Sequence, residues 1–473
     1  MTTTNRASAV FLGLTILAFS TVSAPAGDWL QFRGPDGSGI SRDTQPLPVK
    51  WSETENLKWK RKLPGPGSSS PILVGKRVFV TCWTGYGTDR DNPGDQKDLR
   101  RHLICLDRAT GDVLWDRSVE PVLPEDPYSG NFTEHGYASH TPVSDGKRVY
   151  VFFGRTGAVA FDLDGKKLWQ TGAGTGSGPH GWGTASSPIL YKNLLIVTAS
   201  AESQSLVALD KETGNEVWRR QDPALSGTWG TPVLVDCGQG RTDLVLSVPF
   251  KILGLDPQDG KPRWQCEGLS TDFICSSALA SDGVVYALET GPRGGGTMAV
   301  RAGGEGDVTK TRVLWRGIGL SRIGTPLLDG GRIYWFTSRT ANCIDAATGK
   351  QVYRTRVDGG AATPAPPPPG PKPGQPGPGG PARKPGGKPG GPAGIRGMDY
   401  SSPVLADGKI YYVSRSGETF VYATGPEFKL LGQNRFAPDG GDFSATPAVG
   451  DGELFIRSSK YLYCVALPGG KGR

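Results

Sequence analysis

Methionine, charged residues and long apolar runs are all scarce in this sequence. Its 473 residues include only 3 methionines, and charged residues make up 21% of the chain, which argues against a helical bundle. The longest apolar run, Ala9 to Val22, has fourteen residues and is too short to span a bilayer as a helix. Glycine (70) and proline (39) are abundant instead, which is typical of many turns between short strands.

The apolar run lies in a segment that has the features of an export signal. Arg6 is the only charged residue before Asp28, and Ala24 and Ala26 provide small side chains for cleavage. We therefore expect residues 1–26 to be a signal peptide. The mature protein is expected to be a periplasmic or extracellular monomer with no transmembrane segment.

Basic charge is concentrated outside the region expected to fold. The formal net charge is +8, but Arg6 belongs to the export signal and four further cations lie in a low-complexity segment, which leaves about +3 for the folded part. These four cations are Lys372, Arg383, Lys384 and Lys388. A field this weak argues against a nucleic acid as partner.

A repeat of about 45 residues runs through most of the chain. Each copy begins with three residues whose middle member carries a hydroxyl group, and continues with short β-rich runs separated by turns. Four such strands cannot bury both faces alone, so the copies must stack as blades around a channel, and the repeat predicts an all-β, eight-bladed β-propeller of four-stranded blades. The eight starts are Ser69-Ser70-Pro71, His140-Thr141-Pro142, Ser186-Ser187-Pro188, Gly230-Thr231-Pro232, Ser276-Ser277-Ala278, Gly324-Thr325-Pro326, Ser401-Ser402-Pro403 and Ala445-Thr446-Pro447.

The ends of the copies repeat as well. Asp107-x-x-Thr110-Gly111-x-x-x-Trp115 in the first copy recurs as Asp210 to Trp218 in the third. Glycine allows the positive φ of the turn, and the tryptophan provides a large flat surface that we expect to pack between neighbouring blades. The eighth copy stops at Cys464-Val465-Ala466 without its outer strand, whereas residues 56–63, NLKWKRKL, form a solitary outer strand. We expect this N-terminal strand to complete the last blade and close the ring.

These elements predict one domain with two irregular segments. Residues 27–55 form an N-terminal extension, residues 56–358 contain the closing strand and blades 1 to 6, and residues 396–470 contain blades 7 and 8. Residues 359–395 are rich in Pro and Gly, have no acidic residue and almost no apolar side chain, and cannot form a core. We expect them to be a disordered insertion.

The repeat SPxxxxxxVxVxxxxGxxxALDxxTGxxxW resembles that of the quinoprotein-type, or PQQ-like, propellers. The opening residues 29–39, WLQFRGPDGSG, resemble the FRGPxGxG start of exported bacterial members of this family, which are often planctomycetal. The family contains quinone-dependent dehydrogenases and non-enzymatic propellers, such as the outer-membrane assembly factor of the barrel-insertion machinery. The resemblance therefore implies the propeller fold and leaves two functions open.

The two functions require different residues. The dehydrogenases bind PQQ and Ca²⁺ near the channel, typically beside a disulfide between adjacent cysteines, and this chain has no Cys-Cys pair and no Cys-x-x-Cys-His haem motif. We therefore favour a binding or scaffold protein of the cell envelope, with envelope proteins or a small ligand as partners and with no catalytic or metal residue assigned. The alternative is a PQQ- and calcium-dependent alcohol or sugar dehydrogenase.

The seven cysteines allow disulfides in an exported protein. Cys105, Cys343 and Cys464 occupy a repeat position that holds Ala or Gly in other copies, so we expect them to pack as small buried side chains. Cys82 with Cys105 and Cys266 with Cys275 are the candidate disulfide pairs.

The large insertions all belong to loops at one end of the propeller, which we call the rim. Loops on a rigid scaffold carry most binding residues, so the rim is the expected functional face. All four histidines map to this rim. His140 replaces the Ser, Gly or Ala of the other blade starts, and could take part in a hydrogen-bond network or contact a ligand. No spacing between the histidines supports a metal site. The candidate binding residues are Trp83, Arg100, Arg101, His102, Glu134, His135, His140, His180, Trp182, Trp229, Arg322, Asp399 and Tyr400; Tyr86 and Tyr137 lie at the same end, and packing between blades is the alternative for the aromatic residues.

Overall fold

The computed structural model describes residues 27–469 apart from 290–295, 319–322, 338, 358–397 and 439. The predicted signal peptide, 1–26, lies outside the described residues, as does the predicted insertion, 359–395. The rest of the chain folds as short antiparallel strands with one four-residue α-helix, Ser200–Ser203, and short 3-10 turns at Gln96–Asp98, Gly130–Glu134, Gly154–Thr156 and Pro223–Gly227.

The strands form eight sheets in chain order, which confirms the eight-bladed propeller. Blade 1 contains Ile72–Val74, Arg77–Thr84, Arg100–Asp107 and Val113–Val119, and blade 2 contains Val143–Ser144, Arg148–Phe152, Ala158–Asp162 and Lys167–Thr171. Blade 3 contains Ile189–Tyr191, Leu194–Ala199, Ser205–Asp210 and Glu216–Gln221. Blade 4 contains Val233–Asp236, Thr242–Val248, Lys251–Leu255 and Pro262–Glu267, with Gly306–Asp307 added at the outer edge. Blade 5 contains Leu279–Ser281, Val284–Leu288, Gly296–Arg301 and Val313–Ile318, and blade 6 contains Leu327–Asp329, Arg332–Thr337, Thr340–Asp345 and Gln351–Arg356. Blade 7 contains Val404–Ala406, Lys409–Val413, Glu418–Ala423 and Leu430–Arg435. Blade 8 contains Ala448–Gly450, Glu453–Arg457, Tyr461–Ala466 and Leu57–Lys62.

The outer strand of blade 8 comes from the N-terminal part of the chain, as predicted. Leu57–Lys62 pairs antiparallel with Tyr461–Ala466, so that Trp59 lies opposite Cys464. The buried carboxylate of Glu453 binds Lys58 Nζ at 2.6 Å and Arg108 Nε at 2.7 Å, which joins the closing strand, blade 8 and blade 1 through one group. The ring is therefore held shut by strand pairing and by an ionic contact across the seam.

A ring of hydrogen bonds explains why every blade start has a hydroxyl group at its middle position. The backbone N–H of each of these residues donates to the side-chain oxygen of the equivalent residue in the next blade, at 2.9–3.1 Å. The last bond, from Thr446 N to Ser70 Oγ, joins blade 8 to blade 1. Eight identical contacts thus encircle the channel, and we call this set the hydroxyl ring. Its members are Ser70, Thr141, Ser187, Thr231, Ser277, Thr325, Ser402 and Thr446.

The tryptophan and the glycine of the repeat meet across neighbouring blades. Trp169 of blade 2 donates from Nε1 to Lys211 O of blade 3 at 3.1 Å, and its ring lies on Gly214. Gly214 has φ +76°, and a Cβ there would lie 2.6 Å from the indole ring. The glycine is therefore required both for its backbone conformation and for its lack of a side chain. The same contact joins Trp59 to Gly111, Trp115 to Gly165, Trp218 to Gly260 and Trp315 to Gly349.

Replacing Gly214 by alanine is expected to lower the free energy of unfolding by about 3 kcal/mol, because the methyl group meets the indole and the backbone is strained. Urea denaturation of the mature protein measures this change. Gly238→Ala is the matched control, since Gly238 has φ +81° with no atom within 4 Å of the added Cβ. It should cost only about 1 kcal/mol. Equal losses for the two variants would show that the contact between tryptophan and glycine adds nothing.

The N-terminal extension lies across the channel. It pairs with blade 1 at Trp29 and Leu73, crosses the channel, and pairs with blade 7 at Ile40 and Leu405. Midway, the buried guanidinium of Arg33 donates to the carbonyls of Thr325, Pro326 and Pro403 at 2.6–3.2 Å, and to those of Gly37 and Ser38 in its own turn. These three acceptors come immediately before the first strands of blades 6 and 7, so Arg33 anchors the extension inside the channel, next to the hydroxyl ring.

The two predicted disulfides are wrong, since none of the seven cysteines forms a disulfide. Cys82 lies opposite His102 and Cys105 lies opposite Phe79 in the same strand pair, so the two thiols point to opposite faces of blade 1. They pack in different apolar clusters. Cys266 is buried on the outer strand of blade 4, whereas Cys275 faces the channel. The predicted burial of Cys105, Cys343 and Cys464 is confirmed.

In the part of the chain that the structure describes, no helix has the length and apolar character needed to cross a membrane.

Candidate functional site

The rim end of the channel opens into a cavity that we call the channel pocket. The hydroxyl ring encircles it, and Phe32 of the N-terminal extension also lines it. Its upper wall comes from the loops that precede the first strands of several blades and includes Asn131, His135, Trp182 and Tyr400. Several rim loops therefore converge on one pocket.

One side of the pocket is a group of aromatic rings. The indoles of Trp182 and Trp229 lie with their centroids 5.4 Å apart, and His180 stacks on Trp182 at 4.8 Å. Phe273 meets Trp182 edge-on at 5.8 Å. Trp229 Nε1 donates to Gly183 O at 2.9 Å, so the two tryptophans are also tied through the backbone. Both tryptophans are only half-buried, and a ligand in the pocket could contact their rings.

His135 fixes the position of Trp182. Its Nε2 lies 2.7 Å from Trp182 O, and its Nδ1 lies 2.7 Å from Ser139 Oγ. Because a carbonyl oxygen can only accept, Nε2 carries the proton and Nδ1 accepts from the serine hydroxyl. Burial lowers the pKa of His135, which is consistent with a neutral ring. His135 is thus a positioning residue that connects two rim loops.

Tyr400 is supported from behind by charged residues that bind one another. The Arg415 guanidinium lies over the Tyr400 ring, 4.9 Å from its centroid. Arg415 binds Glu134 at 2.8 Å and Asp442 at 2.9 Å, and its backbone N–H donates to Asp399. Asp399 also accepts from the Tyr412 hydroxyl. Glu134 and Asp399 therefore stabilise the pocket wall from outside the pocket.

His140 lies in a second, smaller cavity between blades 1, 2 and 3. The cavity also contains Glu202 and the buried ion pair of Arg101 with Glu125, whose atoms are 2.6 Å apart. Neither ring nitrogen of His140 has a hydrogen-bond partner among the described residues. Burial, with the nearby positive charge of Arg101, lowers the pKa of His140 to about 3, so the imidazole is neutral. His140 lines this cavity and is absent from the wall of the channel pocket.

Glu202 makes the second cavity sensitive to alkaline pH. Burial, with repulsion from Glu125 and Asp126, raises its pKa to about 8. The Glu202 carboxyl group binds its proton more tightly in the folded state than in the unfolded state. The stabilising contribution of this proton is complete below the pKa that Glu202 has in the unfolded state, and it is lost as the pH rises through the pKa in the folded state. Glu202→Gln should therefore gain about 3 kcal/mol relative to wild type between pH 5 and pH 9. Urea denaturation across this range measures the gain; parallel curves for the two proteins, or the same gain for the exposed Glu55→Gln, would contradict it.

The other predicted residues lie away from the pocket. Trp83 is buried against Tyr128 and Tyr137 and serves as packing for the rim. His102 lies on a strand of blade 1, with Nε2 2.9 Å from Thr84 Oγ1 and Nδ1 2.8 Å from Asp116. Arg100 pairs with Glu120 on the surface. Arg322 lies outside the described residues.

The similarity of this chain to known proteins agrees with its fold. The family model described as outer membrane protein assembly factor BamB matches residues 99–334, about half of the chain. The chain belongs to the PQQ-like β-propeller family. Residues of this PQQ-like propeller also match a polyvinylalcohol dehydrogenase of Sphingopyxis sp., at 22% identity over 258 residues. The match covers 46% of this chain and 36% of that protein, so the propeller spans little more than a third of its relative.

Solved structures with the same fold include BamB and alcohol dehydrogenases. BamB from Moraxella catarrhalis superposes with a TM-score of 0.58 at 11% identity, over 88% of this chain and 99% of that chain. A europium-containing methanol dehydrogenase superposes with a TM-score of 0.61 at 11% identity, over 94% of this chain and 98% of that chain. A quinohemoprotein alcohol dehydrogenase from Comamonas testosteroni superposes with a TM-score of 0.58 at 12% identity, over 96% of this chain and 82% of that chain. At these identities the likeness shows the fold alone.

Among the described residues, the channel pocket of this PQQ-like propeller provides no charged side chain to bind PQQ or Ca²⁺. PQQ is a tricarboxylate, and Ca²⁺ takes about six to eight oxygen ligands that usually include carboxylates. Among the described residues, no Asp, Glu, Lys or Arg lines the pocket. Nor does the described part of the chain bring together three His, Cys, Asp or Glu side chains that could hold a metal ion. The donor set of the pocket is thus suited to an uncharged group.

The sequence indicated some of this site and missed the rest. It identified His135, His180, Trp182, Trp229 and Tyr400, which the structure brings together at the channel mouth. It did not identify Phe32 or the hydroxyl ring as pocket residues, or Phe273 as the ring that packs against Trp182. The recurrence of a hydroxyl group in all eight blade starts could have revealed the hydroxyl ring, whereas nothing in the sequence marked the two phenylalanines.

Proposed function

We propose that this PQQ-like propeller is a non-catalytic binding protein of the cell envelope, which captures its ligand or partner at the rim end of the channel. The aromatic channel pocket without an Asp, Glu, Lys or Arg among its described lining residues is the observation that carries the proposal. A concave site of this kind can bury a ligand group, and its described lining provides no carboxylate to hold a metal ion.

The family description supports an envelope location. BamB is described as an outer membrane protein assembly factor, and a BamB structure covers most of this chain. The features of an export signal in residues 1–26 point to the same compartment. We propose that the partners include envelope proteins or envelope polymers that reach the rim loops.

Affinity capture from an envelope extract tests the proposal. The mature protein is the bait, and the variant Trp182→Ala with Trp229→Ala removes the aromatic wall. Recovery of a specific partner should fall about tenfold or more, since large aromatic contacts dominate binding energies. Phe250→Ala is the matched control, because this phenylalanine is 55% exposed and lies outside the pocket. Equal recovery with the double variant and with wild type would contradict the proposal.

The second candidate function is a PQQ- and calcium-dependent dehydrogenase, which the names of the dehydrogenase relatives favour. Its test is dye-linked oxidation of alcohols and sugars after incubation with PQQ and Ca²⁺, together with the absorbance of protein-bound quinone after gel filtration. We expect neither activity nor retained quinone, because the described pocket residues provide no partner for the carboxylates or the cation. Retained quinone that depends on Ca²⁺ would favour the dehydrogenase.

A further inference from the structure

A groove adjoins the channel pocket at the rim, between blades 8 and 1. We call it the rim groove; it shares the lining residues Ser68, His135 and Ser444 with the channel pocket. Its walls include Lys62, Arg90, Tyr128, Thr133, Lys460 and Tyr461. A groove next to a pocket suits a chain-like ligand whose end enters the pocket.

The rim groove is cationic. Lys62, Arg90 and Lys460 are exposed, and none of them has an ion-pair partner among the described residues. The acidic residues of the groove, Glu134 and Asp442, are both bound to Arg415. Arg415 offsets one of these two negative charges, so the three exposed cations leave the groove with a net positive charge, in contrast to the channel pocket, whose described lining residues carry no charge.

The channel pocket offers hydroxyl groups and flat rings. Each oxygen of the hydroxyl ring accepts an amide N–H, and no hydrogen bond among the described residues uses the hydroxyl protons. A ligand can therefore accept from these protons and donate to the remaining lone pairs. The faces of Trp182 and Trp229 lie beside the ring. A sugar unit has both features that match: hydroxyl groups around its edge and an apolar face of C–H groups that packs on an aromatic ring.

We infer that the ligand is an acidic glycan chain: an uncharged sugar unit occupies the channel pocket and the acidic groups of the following units lie along Lys62, Arg90 and Lys460. The inference rests on the proposed binding function and names its ligand class. An extended peptide is less well matched, because a peptide that binds by strand addition needs an exposed sheet edge along its length, whereas the strands reach the rim groove only with their end residues, such as Lys62 and Tyr461.

Titration with a matched pair of glycans tests the inference. An oligogalacturonate with one uncharged terminal residue has acidic groups along the chain, and its methyl ester has the same rings without the charge. Calorimetric titration of the mature protein at low salt should give an affinity about tenfold higher for the acidic glycan, from three exposed ion contacts. At about 1 M NaCl this advantage should disappear, because the charges are screened within about 3 Å.

Two sets of variants separate the groove from the pocket. Replacing Lys62, Arg90 and Lys460 together by Gln should reduce the affinity for the acidic glycan to that for the ester. Trp182→Ala should weaken both about tenfold, and Phe250→Ala should weaken neither. Equal affinities of wild type for the two glycans at low salt would overturn the inference.

The failure of the inference differs from the failure of the proposed function. If neither glycan binds, but a captured envelope partner still depends on Trp182 and Trp229, the ligand class is wrong and the binding function stands. If no ligand or partner depends on these residues, both are wrong.

Discussion

Replacing Trp59 by alanine is expected to lower the free energy of unfolding by about 3–5 kcal/mol, the usual cost of truncating a buried tryptophan. Trp59 packs on Gly111 of blade 1 and on Phe455 of blade 8, with ring centroids 5.8 Å apart in the second contact, and donates from Nε1 to Arg108 O at 3.0 Å. The substitution therefore removes contacts on both sides of the seam that closes the ring. Urea denaturation of the mature protein measures the loss.

Lys60→Ala is the control for the seam. Lys60 lies on the same strand, and its contact with Glu53, at 3.3 Å, is a surface ion pair worth under about 1 kcal/mol. Trp59→Phe should recover part of the stability, since it restores ring packing without the hydrogen bond. If Trp59→Ala costs no more than Lys60→Ala, then the N-terminal strand does not hold the ring closed.

The second large effect is expected at Arg33. Methionine has a similar length but cannot donate, so Arg33→Met leaves the carbonyls of Thr325, Pro326 and Pro403 without their donor inside the protein. Unsatisfied buried acceptors cost about 1–3 kcal/mol each, and partial access of water to the channel reduces the sum, so we expect a loss of about 4 kcal/mol. The fluorescence of the channel tryptophans should also become more accessible to a soluble quencher.

Arg42→Met provides the comparison for Arg33. The side chain of Arg42 is 67% exposed and binds only Asp36 at the surface, so its loss should change stability by less than about 0.5 kcal/mol. A similarly small effect of Arg33→Met would mean that Arg33 does not anchor the N-terminal extension in the channel.

The sequence predicted the propeller well because each blade is specified locally. The hydroxyl group of the start, the glycine of the turn and the tryptophan of the outer strand each recur at fixed spacing, and each makes its contact with the equivalent part of the next blade. The closing strand could be predicted because the eighth copy lacked a piece that the N-terminal region contained. The disulfide predictions were wrong because sequence spacing does not show which face of a strand a cysteine occupies, and Cys82 and Cys105 lie on opposite faces.

The candidate site was harder to predict because its residues are non-repeating. Residues 27–55 have no equivalent in the blades, and the path of this segment depends on contacts such as that of Arg33 with Thr325, 292 positions apart. Trp83 lies near the end of a strand of blade 1 and Trp182 lies in the loop between blades 2 and 3, yet the first is buried in rim packing and the second faces the pocket. The difference comes from Tyr128, Phe132 and Tyr137, which cover Trp83 from another loop.

The hydrogen bond from His135 Nε2 to Trp182 O, at 2.7 Å, joins two rim loops directly. Because Trp182 lines the channel pocket, a displacement of either loop would move the aromatic wall. A partner that pulled on either loop could therefore weaken the contacts with a bound molecule without touching it, so capture and delivery could be controlled from outside the ring.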